Sequence, residues 1–174
     1  MKLRIKNIGC LLLIVALLPV LGGCNDEDDV VEIFTGKTWK LSFIAAEGTY
    51  TQYNFWGEKG MNEQNPDFVR SMDLLRTKGN YTLTFTGSDI NNTVSGSFKG
   101  KGINVSFEGT WKADGKTHEL ILNTEGQLPN ESDVLAKNFM TGIAKASRYE
   151  GDSNNLFIYY KQGQNTLFMG FKPQ

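Results

Sequence analysis

Residues 81–98, YTLTFTGSDINNTVSGSF, carry the reading on which the fold depends. Tyr81, Leu83 and Phe85 alternate with threonines, the period of a strand with one buried face. Gly87 to Asn92 is rich in turn formers, and Val94 to Phe98 resumes strand composition, so the stretch predicts a hairpin with its turn at residues 87–92. Upstream, Thr38-Trp39-Lys40-Leu41-Ser42-Phe43 alternates in the same way and predicts a half-buried strand with Trp39, Leu41 and Phe43 turned inward. Downstream, residues 103–107 and 120–122 read as strands, with Asp114-Gly115 as a hairpin-type turn ahead of His118. Three short strands close the chain, around Tyr149, at residues 156–160 and at residues 167–171, joined by turn-forming stretches.

Two segments have helical rather than strand spacing. Asn65-Pro66 is a helix start, with Asn65 as N-cap and Pro66 in the first turn. Phe68, Met72 and Leu75 share one face, and Gly79 is a suitable stop. A second helix is expected over residues 133–146, capped by Asn130 or Ser132, with Leu135, Phe139 and Ile143 on its buried face. The expectation is a mainly β, α+β domain with two helices, built on an antiparallel sheet or a partly open β-barrel.

Composition narrows the function. The chain has 174 residues and a formal net charge of −1, with no basic stripe, so nucleic acid is not an expected partner. Its two cysteines, Cys10 and Cys24, both lie near the start, which leaves the rest without a disulfide or a Cys-based zinc site. The single histidine, His118, rules out a multi-His metal site and reads, beside Glu119, as an exposed residue at a strand start. Acids such as Glu131 and Asp133 are favoured at a helix N-terminus by its dipole, without any catalytic duty. Residues 25–29 lack the spacing of a calcium cage, and Gly100-Lys101-Gly102 is a turn. No nucleophile–base pair stands out, so the expectation is a monomeric, non-enzymatic protein without metal or cofactor.

The N-terminal segment speaks to address. Lys2, Arg4 and Lys6 precede an apolar stretch at residues 11–21, shorter than the roughly 20 residues of a membrane span, which is the order of a secretory signal. Leu21-Gly22-Gly23-Cys24 then resembles the lipobox of bacterial lipoproteins. The resemblance implies cleavage ahead of Cys24 and a diacylglycerol on its thiol, hence attachment to the membrane by an N-terminal lipid. Asp26, Glu27, Asp28 and Asp29 resemble the acidic export signal of Bacteroidetes surface lipoproteins, which implies outer-membrane anchoring at the cell surface. The same four acids would also serve as a solvated tether. Residues 1–23 are accordingly read as signal peptide, 24–36 as lipidated acidic tether and 37–174 as one domain.

The order of elements resembles the META domain, also called the heat-shock-lipoprotein-like domain. Thr38-Trp39-Lys40-Leu41, Val94-Ser95-Gly96-Ser97-Phe98, Asn138-Phe139 through Ile143, Tyr149-Glu150-Gly151-Asp152 and Leu156-Phe157-Ile158-Tyr159 carry the likeness. It covers about two thirds of the chain, by pattern more than identity. The family's Gly-Cys-Asn motif is absent, and residues 48–79 are an insertion. The resemblance implies a META-like or lipocalin-like barrel and no enzymatic activity.

That insertion contains the one feature suggestive of a ligand: Tyr50, Tyr53, Phe55 and Trp56 on a long loop. Exposed, such rings stack on sugars or other apolar ligands, and a glycan or an envelope protein is the expected partner. Folded back, the same rings would complete the core.

Overall fold

The structure, a computed structural model, describes residues 29–90 and 93–174. The hairpin at its centre is longer than its glycines suggested. Strand β2 (Thr82–Ile90) pairs along its whole length with β3 (Thr93–Lys101), so Gly87 lies inside the ladder opposite Gly96 and the pairing continues to Ile90 opposite Thr93. The reason is packing. A Cβ at Gly87 would come within 3.0 Å of the Trp111 ring and 2.6 Å of the Ser95 carbonyl oxygen. The two glycines let the strands close over that indole, whose Nε1 donates to the Thr86 carbonyl at 3.0 Å.

The remaining strands are β1 (Thr38–Ala46), β4 (Ser106–Asp114), β5 (Leu120–Thr124), β6 (Ala146–Gly151), β7 (Leu156–Gln162) and β8 (Asn165–Pro173). All pair antiparallel in one sheet of order β5-β4-β3-β2-β1-β8-β7-β6. β4 starts at Ser106, later than the strand expected from residue 103, because residues 102–105 form the connection from β3. The edge strands β5 and β6 then meet. Glu119 bridges Arg148, and the Tyr149 amide donates to the His118 carbonyl at 3.0 Å. This short seam curls the sheet into a partly open barrel in sequential strand order. His118 is half-buried at the seam, not solvent-exposed as its position suggested, with a backbone φ of 59° and its ring 5.5 Å from that of Tyr149.

Three α-helices, not two, occur among the described residues. The additional one, α1 (Val30–Phe34), was expected to belong to the tether, yet Phe34 is fully buried in the barrel. Its ring stacks on Trp111 at 4.7 Å and meets Phe85 and Tyr149 edge-on at 5.0 Å each. The folded unit therefore begins ahead of residue 37. Helix α2 (Pro66–Arg76) has the expected N-cap, with Asn65 accepting from the Asp67 amide. Helix α3 (Val134–Ala144) is shorter than expected and is capped by Asp133 rather than Asn130 or Ser132. It crosses from β5 to β6, burying Leu135, Phe139 and Ile143 completely, with Phe139 meeting Tyr81, Phe107 and Phe171.

One strand residue faces the unexpected way. The β1–β8 register shifts between Leu41 and Phe43, a β-bulge at Ser42. Trp39 and Leu41 point into the barrel as the alternation predicts, whereas Phe43 turns to the outer wall. No helix among the described residues is long and apolar enough to cross a membrane.

Candidate functional site

Strands β7 and β8 are apolar at both parities, LFIYY at residues 156–160 and LFMGF at 167–171. One parity, Leu156, Ile158, Tyr160, Leu167, Met169 and Phe171, fills the barrel. The other parity, Phe157, Tyr159 and Phe168, has no core to enter and assembles on the outer wall with Phe43 and Ala45 of β1. Such two-sided strands are usual where both faces are covered. Here the outer cover is thin.

What covers it is Tyr50. Its ring stands edge-on to Phe168 at 5.9 Å and to Phe43 and Phe157 at 6.4 Å each, while its side chain remains 76% exposed. Beneath it Phe168 meets Phe43 and Phe157 at 5.7 Å and lies nearly parallel to Tyr159 at 5.3 Å. The Arg148 guanidinium lies 3.8 Å from the Tyr159 ring centre. It pairs with Glu47 at 2.8 Å and also with Glu150, which in turn accepts from the Tyr159 hydroxyl at 2.7 Å. Burial, followed by the hydrogen bond to Glu150, pushes the Tyr159 phenol well above its ordinary pKa, so this hydroxyl stays a donor. The result is an apolar platform with one projecting ring and a fixed guanidinium–carboxylate edge.

The other three rings of the loop go the opposite way. The Tyr53 amide donates to the Ile44 carbonyl at 2.7 Å, Phe55 packs on Tyr53 at 4.9 Å, and Trp56, 8% exposed, sits edge-on to Phe68 of α2 at 5.1 Å. Trp56 is thus a core residue and unavailable for stacking on a ligand; Tyr53 and Phe55 are half-buried against the same core. Of the four aromatic candidates, Tyr50 alone is presented to solvent, and its platform comes from Phe43, Phe157, Tyr159 and Phe168. In the sequence the only sign of that platform is that residues 156–160 are apolar at both parities.

The buried acids form a structural network. Asp133 accepts from the Leu135 and Ala136 amides, the Ser71 hydroxyl at 2.8 Å and the Tyr81 hydroxyl at 3.3 Å. Glu131 accepts from the amides of Ile103 and Asn104 at 2.7 and 3.1 Å. Each carboxylate is thus occupied in tying a helix or turn to the barrel. Among the described residues, no three His, Cys, Asp or Glu side chains lie close enough together to hold a metal ion. Cys24, Asp26, Glu27 and Asp28 lie outside the described residues. Asp29 is described, and its carboxylate accepts from the Glu32 amide at 2.9 Å as the N-cap of α1.

A family model described as "Domain of unknown function (DUF4847)" matches residues 25–173. The fold is similar to the crystal structure of a DUF4847 family protein from Bacteroides vulgatus ATCC 8482, with a TM-score of 0.56 and 24% identity over 82% of this chain and 96% of that one. No curated protein matches the chain.

Proposed function

The chain belongs to the DUF4847 family, which brings no assigned chemistry, and from its own geometry we propose a non-enzymatic binding protein that takes its ligand on the Tyr50 face. We further propose that it is a lipoprotein, anchored through Cys24 in the outer membrane and displayed at the cell surface as a monomer. The lipobox-like run and the acids after it support the anchor and the address. The likeness to META barrels rests on element order alone and adds no chemistry.

One observation carries the binding reading: an aromatic ring, 76% exposed, held on a platform of four more rings on the outside of the barrel. A ring so placed gains little for the fold, whereas it offers a face for stacking. The planar, hydrogen-bonding edge made by Glu47, Arg148 and Glu150 favours a glycan over a purely apolar ligand.

The test is a glycan array, followed by ligand-dependent thermal shift on the wild type and on Tyr50→Ala. A sugar that stabilises the wild type but not the variant is the expected result. Turnover of that sugar would replace a binding protein with an enzyme. Silence across glycans, with an envelope protein recovered by cross-linking through the Tyr50 face, would assign a protein partner. For the anchor, Cys24→Ala should remain uncleaved and take up no fatty-acid label, and normal labelling would overturn it.

A further inference from the structure

We infer that the ligand of the Tyr50 face is an acidic glycan, its rings stacked on the aromatic patch and its anionic groups met by a lysine row, Lys101, Lys40 and Lys172, on the same outer wall. This rests on the glycan reading above and adds the charge of the ligand.

The row follows from register. Lys40 is directly opposite Lys172 of β8 on one side and Thr82 of β2 on the other, and Thr82 is opposite Lys101 of β3. Four positions on four adjacent strands thus form one line, about 14 Å long at ~4.8 Å per strand. All four point outward, since their neighbours Trp39, Leu41, Tyr81, Leu83, Gly100 and Phe171 are buried. Lys172 is two residues beyond Gly170, over which the Phe43 ring lies, so the row borders the patch at ~7 Å.

Like charges directly opposite in a ladder destabilise it, so the Lys40–Lys172 pair costs stability that a Lys–Thr pair would not. The surroundings compensate only in part. Lys40 donates to the Thr77 and Asn80 carbonyls and lies 5.4 Å from the Tyr81 ring centre. Lys172 donates to the Asn155 side chain and faces the Asp152 carboxylate. Lys101 makes no ion pair among the described residues; it lines a shallow groove of about 440 Å³ with Thr82, Thr84, Lys99 and Ser106, where Glu108 is the acid. At the far side of the patch Glu47 and Glu150 share the single charge of Arg148, which leaves one negative charge in excess at that end. The face is therefore polarised, with its positive excess at the lysine end, where Asp152 is the acid set against Lys172. Uronic carboxylates or ester sulfates spaced along a sugar chain match that arrangement, and a neutral glycan leaves it unused.

The experiment measures binding of full-length protein, purified in detergent, to three oligosaccharides of equal length: a neutral xylan, an oligogalacturonate and a chondroitin sulfate. Expected is an acidic oligosaccharide bound about tenfold more tightly than the neutral one, the advantage shrinking severalfold between roughly 50 and roughly 300 mM salt. The paired substitution Lys101→Gln with Lys172→Gln should abolish that advantage, Lys101→Arg should keep it, and Tyr50→Ala should abolish binding of every oligosaccharide. Preference for galacturonate or for sulfate then identifies the anion. Equal affinity for neutral and acidic chains, still lost in Tyr50→Ala, would overturn the lysine assignment and leave the glycan site standing. Acid binding untouched by Tyr50→Ala would reduce the row to a patch of general charge adhesion and overturn the inference. No glycan binding at all would overturn both readings.

Discussion

The ring of Phe43 lies across Gly170 of the neighbouring strand, so closely that a Cβ there would come within 2.6 Å of a ring carbon. The bulge at Ser42 turns Phe43 outward, and the absent side chain at Gly170 gives its ring a flat bed. Valine at position 170 should therefore lift the ring and destabilise the protein by about 1–3 kcal/mol. Urea unfolding measures the loss, and a change within about 0.5 kcal/mol would mean that the ring is not held there. Because Phe43 supports Tyr50, the same variant should weaken binding at the outer face.

Inside the barrel, α3 is fastened by Phe139, which is fully buried and meets the rings of Tyr81 just ahead of β2, Phe107 of β4 and Phe171 of β8. Truncation to alanine should cost about 3–5 kcal/mol by loss of transfer energy and an unfilled cavity. Chemical denaturation of Phe139→Ala checks it; a loss under about 1 kcal/mol would be incompatible with a fully buried ring.

Asp133 joins three elements: it caps α3, accepts from Ser71 of α2 and accepts from Tyr81 ahead of β2. Asp133→Ala removes the cap and leaves two hydroxyls in need of partners, for an expected loss of about 2–3 kcal/mol. The adjacent Ser132 is exposed, and Ser132→Ala should stay within about 0.5 kcal/mol. Equal effects at the two positions would return the cap to Ser132.

These residues show where the sequence was readable. Alternation at residues 38–41 and 81–85, and helical spacing at Phe68, Met72, Leu75 and at Leu135, Phe139, Ile143, report which face is buried, and the barrel follows from them. Gly87 misled because a glycine that admits an indole beneath a strand has the same letter as one that turns a chain. Phe43 misled because one bulged residue inverts the parity of all that follows. The Tyr50 face was half visible: its projecting ring was among the loop candidates, while its platform belongs to strands distant in sequence. Nothing local distinguishes the outer parity of residues 156–160 from the inner one.

Lys40 gives a dependence on pH. Burial lowers its pKa from 10.5 to about 8, with Lys172 opposite and Lys101 further along the row. Between about 8 and 10.5 the unfolded chain keeps the proton that the folded one has released, so stability should rise with pH across that window. Below 8 both states are protonated and the cost of burying the charge is present in full. Lys40→Met should therefore be more stable than wild type at pH 7, with the difference narrowing by pH 10. Parallel denaturation curves for the two proteins at both pH values test this, and an unchanged difference would mean that the amine is well solvated.

The acidic run contains two separable roles. Asp29 holds the first turn of α1 by accepting from the Glu32 amide, and α1 places Phe34 in the barrel. Alanine at position 29 should therefore lower stability by about 1 kcal/mol through loss of the cap. Asp26, Glu27 and Asp28 precede the helix, and changing them together to alanine should leave the unfolding midpoint of the domain unaltered. If the run is an export signal, that triple variant should become resistant to protease added to intact cells while the wild type is digested. An equally digested triple variant, with display lost only in Asp29→Ala, would make the surface phenotype a consequence of folding. Replacing all four residues at once would confound the two effects, so the three-residue variant is the decisive one.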